Sequence, residues 1–190
     1  YKKQDMALTE SNMLDLGIAA PNFNLPDTRT EKSIQYQDIA GENGTLVMFI
    51  CNHCPYVIHV LPELARLTKE YQAKGIGMVA ISSNDVENYP ADAPDKMKTF
   101  AEEEGFTYPY LYDESQAVAK AYDAACTPDF YLFDQDQKLA YRGRLDQSRP
   151  NNDHPLDGSD LRAALDQLLA GETIPTQQYP SAGCNIKWKK

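Results

Sequence analysis

The chain alternates short, unbroken apolar runs with longer stretches in which apolar residues recur every three or four positions. Leu46-Val47-Met48-Phe49-Ile50 is one such run, preceded by the turn Gly41-Glu42-Asn43-Gly44. A run this short between turn residues predicts a strand buried on both faces. Val57, Val60, Leu61, Leu64, Leu67 and Tyr71 follow at helical spacing, with Lys and Glu on the other side, and Gly75 ends the pattern. The spacing predicts an amphipathic helix over Pro55–Lys74. Ile76 to Ile81 then predicts a second buried strand. Strand, helix and strand in this length form a βαβ unit, so the two strands are expected to be parallel neighbours.

Beyond Ile81, a loop rich in Asn, Asp and Pro runs from Ser82 to Pro94. A short helix is predicted over Asp95–Glu104 and another over Ser115–Tyr122, with Ser115 as its N-cap. Phe130–Phe133 and Leu139–Tyr141 flank a polar turn and predict a β-hairpin. The last predicted helix, Asp160–Ala170, stops at Gly171. Residues 1–35 read as irregular, and Ile174 to Lys190 as coil. The fold class is therefore α/β: a central mixed sheet with a parallel βαβ unit and a C-terminal β-hairpin, flanked by helices. One domain is expected over residues 6–175. Residues 1–5 read as an extension or remnant, and 176–190 as a C-terminal tail.

Composition narrows the function. Lys and Arg number 18 against 28 Asp and Glu, a formal net charge of −10, and the pI is near 4.7. Nucleic acid is thereby an unexpected partner, because phosphate binding rests on clustered cations. No apolar run approaches the length of a membrane span, and no secretory leader is recognisable behind Tyr1, so no membrane partner is expected and the expected compartment is the cytoplasm. Four cysteines are too few for a disulfide scaffold in a chain of this size. Short cysteine spacing then suggests redox or metal chemistry.

That spacing falls at Cys51-Asn52-His53-Cys54, between the strand ending at Ile50 and the helix starting at Pro55. Proline is favoured at the first helical position, which makes Cys54 the N-cap, facing unpaired N–H groups and the positive end of the helix dipole. Helix-start cysteines have pKa values of roughly 3.5–7.5, so Cys54 is the expected nucleophile. The plainer alternative, two buried apolar cysteines, fits a lone residue better than a C-x-x-C pair at a strand-to-helix turn.

The residues from Gly17 to Asp27, Gly-Ile-Ala-Ala-Pro-Asn-Phe-Asn-Leu-Pro-Asp, resemble the G-x-x-A-P-x-F opening of the redoxin group. That group includes AhpC/TSA peroxiredoxins and TlpA-like thiol-disulfide oxidoreductases. Ala124-Ala125-Cys126-Thr127-Pro128-Asp129-Phe130 is similar to the Thr-Pro loop of the thioredoxin-like fold, whose proline is cis. The resemblance covers roughly residues 12–170. It implies that fold, a cis Thr127-Pro128 bond facing the C-x-x-C loop, and Thr127 and Pro128 as accessory site residues.

Two departures shape the assignment. In thioredoxin-like proteins the nucleophile precedes a helix-kinking proline by eight residues; here Pro62 lies eight after Cys54 and eleven after Cys51. Cys54 thus takes the nucleophile's place, and Val57 stands where the usual resolving cysteine would be. The peroxiredoxin pattern would put Thr or Ser where Cys51 stands and Pro where Val47 stands, which weakens a peroxidase reading.

Cys126, two residues before Pro128, is either a third thiol near Cys54 or a small residue packed under the loop. Cys184 lies in the tail near Ile186 and Trp188, with a resolving or structural role open. His53, between the cysteines, can raise the thiolate fraction when protonated. His59 and His154 read as surface residues, and Arg142, Arg144 and Arg149 chiefly as a solvated strand face. No buried carboxylate is visible in the Leu46 to Ile50 strand.

Three functions follow. The first is a thiol-disulfide oxidoreductase, with Cys54 as nucleophile and Cys51, or Cys126, resolving the mixed disulfide. The second is a peroxidase in which a Cys54 sulfenate condenses with Cys51 or Cys184. The third is a soft-metal module with Cys51, Cys54 and Cys126 as ligands and His53 or Cys184 as the fourth. For the enzyme readings the partners are a disulfide or peroxide substrate and a reductant such as thioredoxin, and neither calls for a cofactor or metal.

Overall fold

The computed structural model describes residues 8–190. The extension over 1–5 and the domain start at Met6 lie outside the described residues. In chain order the first elements are the strands β1 (Leu8–Glu10), β2 (Asn24–Pro26) and β3 (Ser33–Gln35), the single turn of helix α1 (Tyr36–Ile39), and strand β4 (Gly44–Phe49). Helix α2 (Pro55–Gln72), strand β5 (Ile76–Ser82), helix α3 (Pro94–Glu103), strand β6 (Tyr110–Tyr112) and helix α4 (Ala117–Ala121) follow. Strands β7 (Cys126–Thr127), β8 (Asp129–Phe133) and β9 (Leu139–Gly143), helix α5 (Ser159–Leu169) and strand β10 (Ala182–Asn185) complete the chain.

The central sheet has the order β6-β5-β4-β8-β9. β4 and β5 run parallel, Leu46 opposite Met78 and Phe49 opposite Ile81, as the two apolar runs joined by one helix require. β8 lies antiparallel on the other side of β4 and forms the expected hairpin with β9. Every residue of β4 is buried, because both faces of the sheet are covered. Leu46, Met48, Phe130 and Leu132 pack under α2, α3 and α5, while Val47, Phe49, Tyr131 and Phe133 face Tyr36, Val118 and Tyr122. This mixed sheet between helical layers is the thioredoxin-like fold. Among the described residues no helix is long and apolar enough to cross a membrane.

The structure corrects four expectations. Residues 8–35 hold β1 and the antiparallel β2–β3 pair where irregular chain was expected; three residues per strand give alternation no room to register. β6 was hidden for the same reason. Helix α4 starts later than expected, and Ser115 is not its cap: Gln116 precedes it with φ +66°. Its N-terminal N–H groups are met by Ser115 Oγ, which accepts from Ala117 at 3.3 Å, and by buried Asp113, whose carboxylate accepts from Val118 and Ala119. Finally, the stretch expected as coil contains β10, which lies antiparallel between β1 and β7. Its partners lie at the far end of the chain or beside Pro128, so no local pattern announces it.

Candidate active site

The strand-to-helix turn puts Cys54 where the sequence predicts it. Its backbone is extended (φ −72°, ψ 123°), Pro55 occupies the first helical position, and its carbonyl accepts from the N–H groups of Val57 and Ile58. Thr127-Pro128 is cis and meets the C-x-x-C loop from β7. The Thr127 carbonyl oxygen lies 3.6 Å from Cys54 Sγ, and Thr127 Oγ1 lies 3.5 Å from Cys51 Sγ.

Cys54 is joined to Cys184 by a disulfide, with the two Cα atoms 6.3 Å apart, within the usual span for such bonds. Both cysteines are buried, at 0% and 2% exposure. Strand β10 makes the pairing: Cys184 is opposite Thr127 and Asn185 opposite Cys126 in an antiparallel ladder. Cys184 is thus part of a paired strand rather than a loose tail. The structure couples it, and not Cys51, to Cys54.

Cys51 keeps a buried thiol at the end of β4, and its neighbour Asn52 is clamped on three sides. The Asn52 backbone N–H donates to Asp92, its amide donates to the Ala91 carbonyl, and its oxygen accepts from the Tyr110 hydroxyl at 2.8 Å. Burial, then the nearby Cys51, push Tyr110 well above its ordinary pKa, which keeps that hydroxyl protonated and donating. His53 is exposed beside this fixed loop.

Cys126 is buried in β7 and carries no disulfide. Its sulfur lies 3.9 Å from the Ser181 carbonyl oxygen and 4.0 Å from that of Pro128. Burial, reinforced by the charge of Asp129, pushes its thiol up, away from reactivity at neutral pH. His59, read as a plain surface residue, is half-buried and shares a hydrogen bond of 2.6 Å with Ser148 Oγ. The arginines are committed elsewhere: Arg142 to the Leu14 carbonyl, Arg144 to Asp160, and Arg149 to the carbonyls of Asp146 and Ser148. Among the described residues no three His, Cys, Asp or Glu side chains converge into a group able to hold a metal.

A buried acid missed by the sequence lies in β8 rather than β4. Asp129 follows the cis proline, stands opposite Phe49, and is wholly buried. It accepts from Ser11 Oγ at 2.9 Å, Tyr131 Oη at 3.1 Å and its neighbour's N–H. Burial nevertheless lifts its pKa to about 7. The available signal was a charged residue opening the otherwise apolar run Phe130-Tyr131-Leu132-Phe133.

Comparison with known proteins agrees with this fold. The chain is 56% identical to an uncharacterized conserved protein of Geobacillus kaustophilus of known crystal structure, over 97% of both chains, with a TM-score of 0.95. It is 42% identical to a hypothetical protein of Sinorhizobium meliloti 1021, over 95% of this chain and 98% of the other, with a TM-score of 0.92. The thiol-disulfide oxidoreductase ResA of Bacillus thuringiensis subsp. konkukian is 23% identical over 141 residues, 74% of this chain and 76% of that protein. The model of the AhpC/TSA family matches residues 16–142, well over half of the sequence, and the chain belongs to that family.

Proposed function

We propose that this protein is a thiol-disulfide oxidoreductase in which Cys54 is the nucleophile and Cys184 the resolving thiol. The observation that carries the reading is the disulfide between the helix-cap Cys54 and Cys184, beside the cis proline. The Cys54 thiolate attacks one sulfur of a substrate disulfide, forming a mixed disulfide and releasing one substrate thiolate. The Cys184 thiolate then attacks Cys54 Sγ, releases the second substrate thiol and closes Cys54–Cys184. Two electrons pass from the protein dithiol to the substrate, and an external dithiol such as thioredoxin returns them. ResA, named as a thiol-disulfide oxidoreductase, supports the reaction class.

Cys51 remains the alternative resolving thiol, favoured by adjacency in sequence, and His53 is assigned to raising the thiolate fraction of Cys54. The deciding experiment is differential thiol labelling of oxidised protein followed by mass spectrometry. The proposal requires a Cys54–Cys184 peptide pair; a predominant Cys51–Cys54 pair returns the resolving role to Cys51.

A peroxidase reading shares one observation, since condensation of a Cys54 sulfenate with the Cys184 thiol yields this same disulfide and a water. Rapid peroxide consumption with a trapped sulfenate at Cys54, and no turnover of disulfides, would favour it. The proposed compartment is the cytoplasm, on the sparse cysteine usage, and cell fractionation tests it.

A further inference from the structure

We infer that Asp129 is a positioning residue for the Cys54–Cys184 couple, holding the Cys184 strand in register through Ser11 and Ser181. The inference rests on the proposed function and adds to it the element that delivers the resolving thiol.

β10 is four residues long and pairs with β1 at three positions and with β7 at two. A strand this short gains little from its own ladder. Its entry is pinned at Ser181, three residues before Cys184. The Ser181 N–H donates to Ser11 Oγ at 2.8 Å, the Ser181 carbonyl accepts from the Ser11 N–H at 2.9 Å, and the Ser181 hydroxyl donates to the Pro128 carbonyl. Ser181 is therefore fixed at once to β1's end and to the cis proline.

The Ser11 hydroxyl has a single proton, and Asp129 Oδ1 accepts it at 2.9 Å, the Ser181 carbonyl oxygen lying farther off at 3.5 Å. That leaves the lone pairs of Ser11 Oγ facing the Ser181 N–H. An acid suits the task in either protonation state, because Oδ1 can accept from Ser11 whether or not the other oxygen carries a proton, and Tyr131 and the Phe130 N–H hold it in place. Asp129 thus orients Ser11, Ser11 seats Ser181, and Ser181 sets where β10 begins. Because Cys54 and Cys184 are both buried, their sulfurs meet only when β10 is seated. Loosening the anchor lowers the effective concentration of one thiol at the other.

The experiment is a redox titration of the full-length chain in dithiothreitol buffers, with Cys54–Cys184 quantified by thiol labelling, beside thermal melts of the same samples. Ser11→Ala and Asp129→Ala are expected to lower the equilibrium constant for the disulfide about tenfold, a potential about 30 mV less negative for a two-electron couple. Asp129→Asn keeps an acceptor oxygen for Ser11 and is expected to restore a value near that of the parent. Should Asp129→Ala fail to fold, half-buried Ser11 decides the matter through Ser11→Ala. Folded Ser11→Ala with an unchanged potential, whatever its melting temperature, overturns the inference. A parent chain that titrates without forming Cys54–Cys184 overturns the function reading instead.

Discussion

Asp92 reaches the C-x-x-C loop from a turn 40 residues further along the chain, accepting the backbone N–H of Asn52 at 2.9 Å. Its other oxygen takes the Asn84 amide at the same distance. One wholly buried carboxylate thus ties the C-x-x-C loop to the end of β5. Asp92→Ala strands two buried donors, each worth about 1–3 kcal/mol when left unsatisfied. The expected loss is about 2–6 kcal/mol, or roughly 4–24 °C in Tm for a chain of this size. Asp92→Asn, retaining one acceptor oxygen, should lose about half as much. Thermal melts of reduced protein check this, and a shift under about 1 °C for Asp92→Ala would remove Asp92 from the support of the loop.

The geometry at Pro55 distinguishes the two loop cysteines. Cys54 caps α2, whereas Cys51 ends a strand and gains nothing from the helix dipole. Reduced Cys51→Ser and Cys54→Ser variants should be alkylated across pH, with the modified residue identified by mass spectrometry. Cys54 should react with an apparent pKa clearly below the unperturbed value of about 8.5, and Cys51 slowly at neutral pH. A faster Cys51 would reverse the assignment and make the site an ordinary C-x-x-C.

The sheet centre and the C-x-x-C turn were legible because each is written locally. β4 and β5 are unbroken apolar runs, α2 shows its buried stripe at Val57, Val60, Leu61 and Leu64, and Pro55 marks its own position. The Thr-Pro loop was legible through resemblance. What stayed hidden depends on pairing between distant residues. Leu8 faces Cys184 across β1 and β10, and neither segment shows periodicity long enough to predict a strand. With β10 unseen, the nearest thiol in sequence, Cys51, was the natural resolving candidate. Asp129 was hidden for a different reason: a carboxylate at a loop end normally reads as solvated, and only the placement of Ser11 and Tyr131 explains its burial.

The buried carboxylate of Asp129 gives a pH dependence with a definite sign. Its folded-state pKa is raised to about 7, against roughly 3.9 in an unfolded chain. Between those values the native state holds a proton that the unfolded state has released. Stability from this group is therefore fully present below about pH 4, falls as pH rises toward 7, and levels off above it. From pH 5 to pH 8 the loss is about 2–3 kcal/mol at roughly 1.4 kcal/mol per unit. Asp129→Asn should abolish this slope, so its stability relative to the parent should improve by that amount between pH 5 and pH 8. Urea unfolding at the two pH values measures the difference; parallel changes in both proteins would show that Asp129 does not titrate in this range.

Gly183 tests whether the seating of β10 governs the couple. A Cβ at Gly183 would collide with the carbonyl oxygen and carbon of Thr127, whereas at Gly171 nothing lies within 4 Å. The obstacle at Gly183 is backbone, which cannot rotate away as a side chain would. Gly183→Ala must therefore push β10 off β7, and Cys184, the next residue, moves with it. The stability cost is expected at about 1–3 kcal/mol, as for other overpacked sites, while the equilibrium constant for Cys54–Cys184 should fall at least tenfold in a fixed dithiothreitol buffer. Gly171→Ala is the matched control. Its positive φ of +71° makes alanine cost about 1 kcal/mol by backbone strain, yet it lies in the turn after α5 and should leave the couple unchanged. If the two variants shift the disulfide equilibrium equally, general destabilisation accounts for the effect and close β7–β10 contact is not what brings Cys184 to Cys54. If only Gly183→Ala shifts it, the contact between Gly183 and Thr127 is what aligns the two sulfurs.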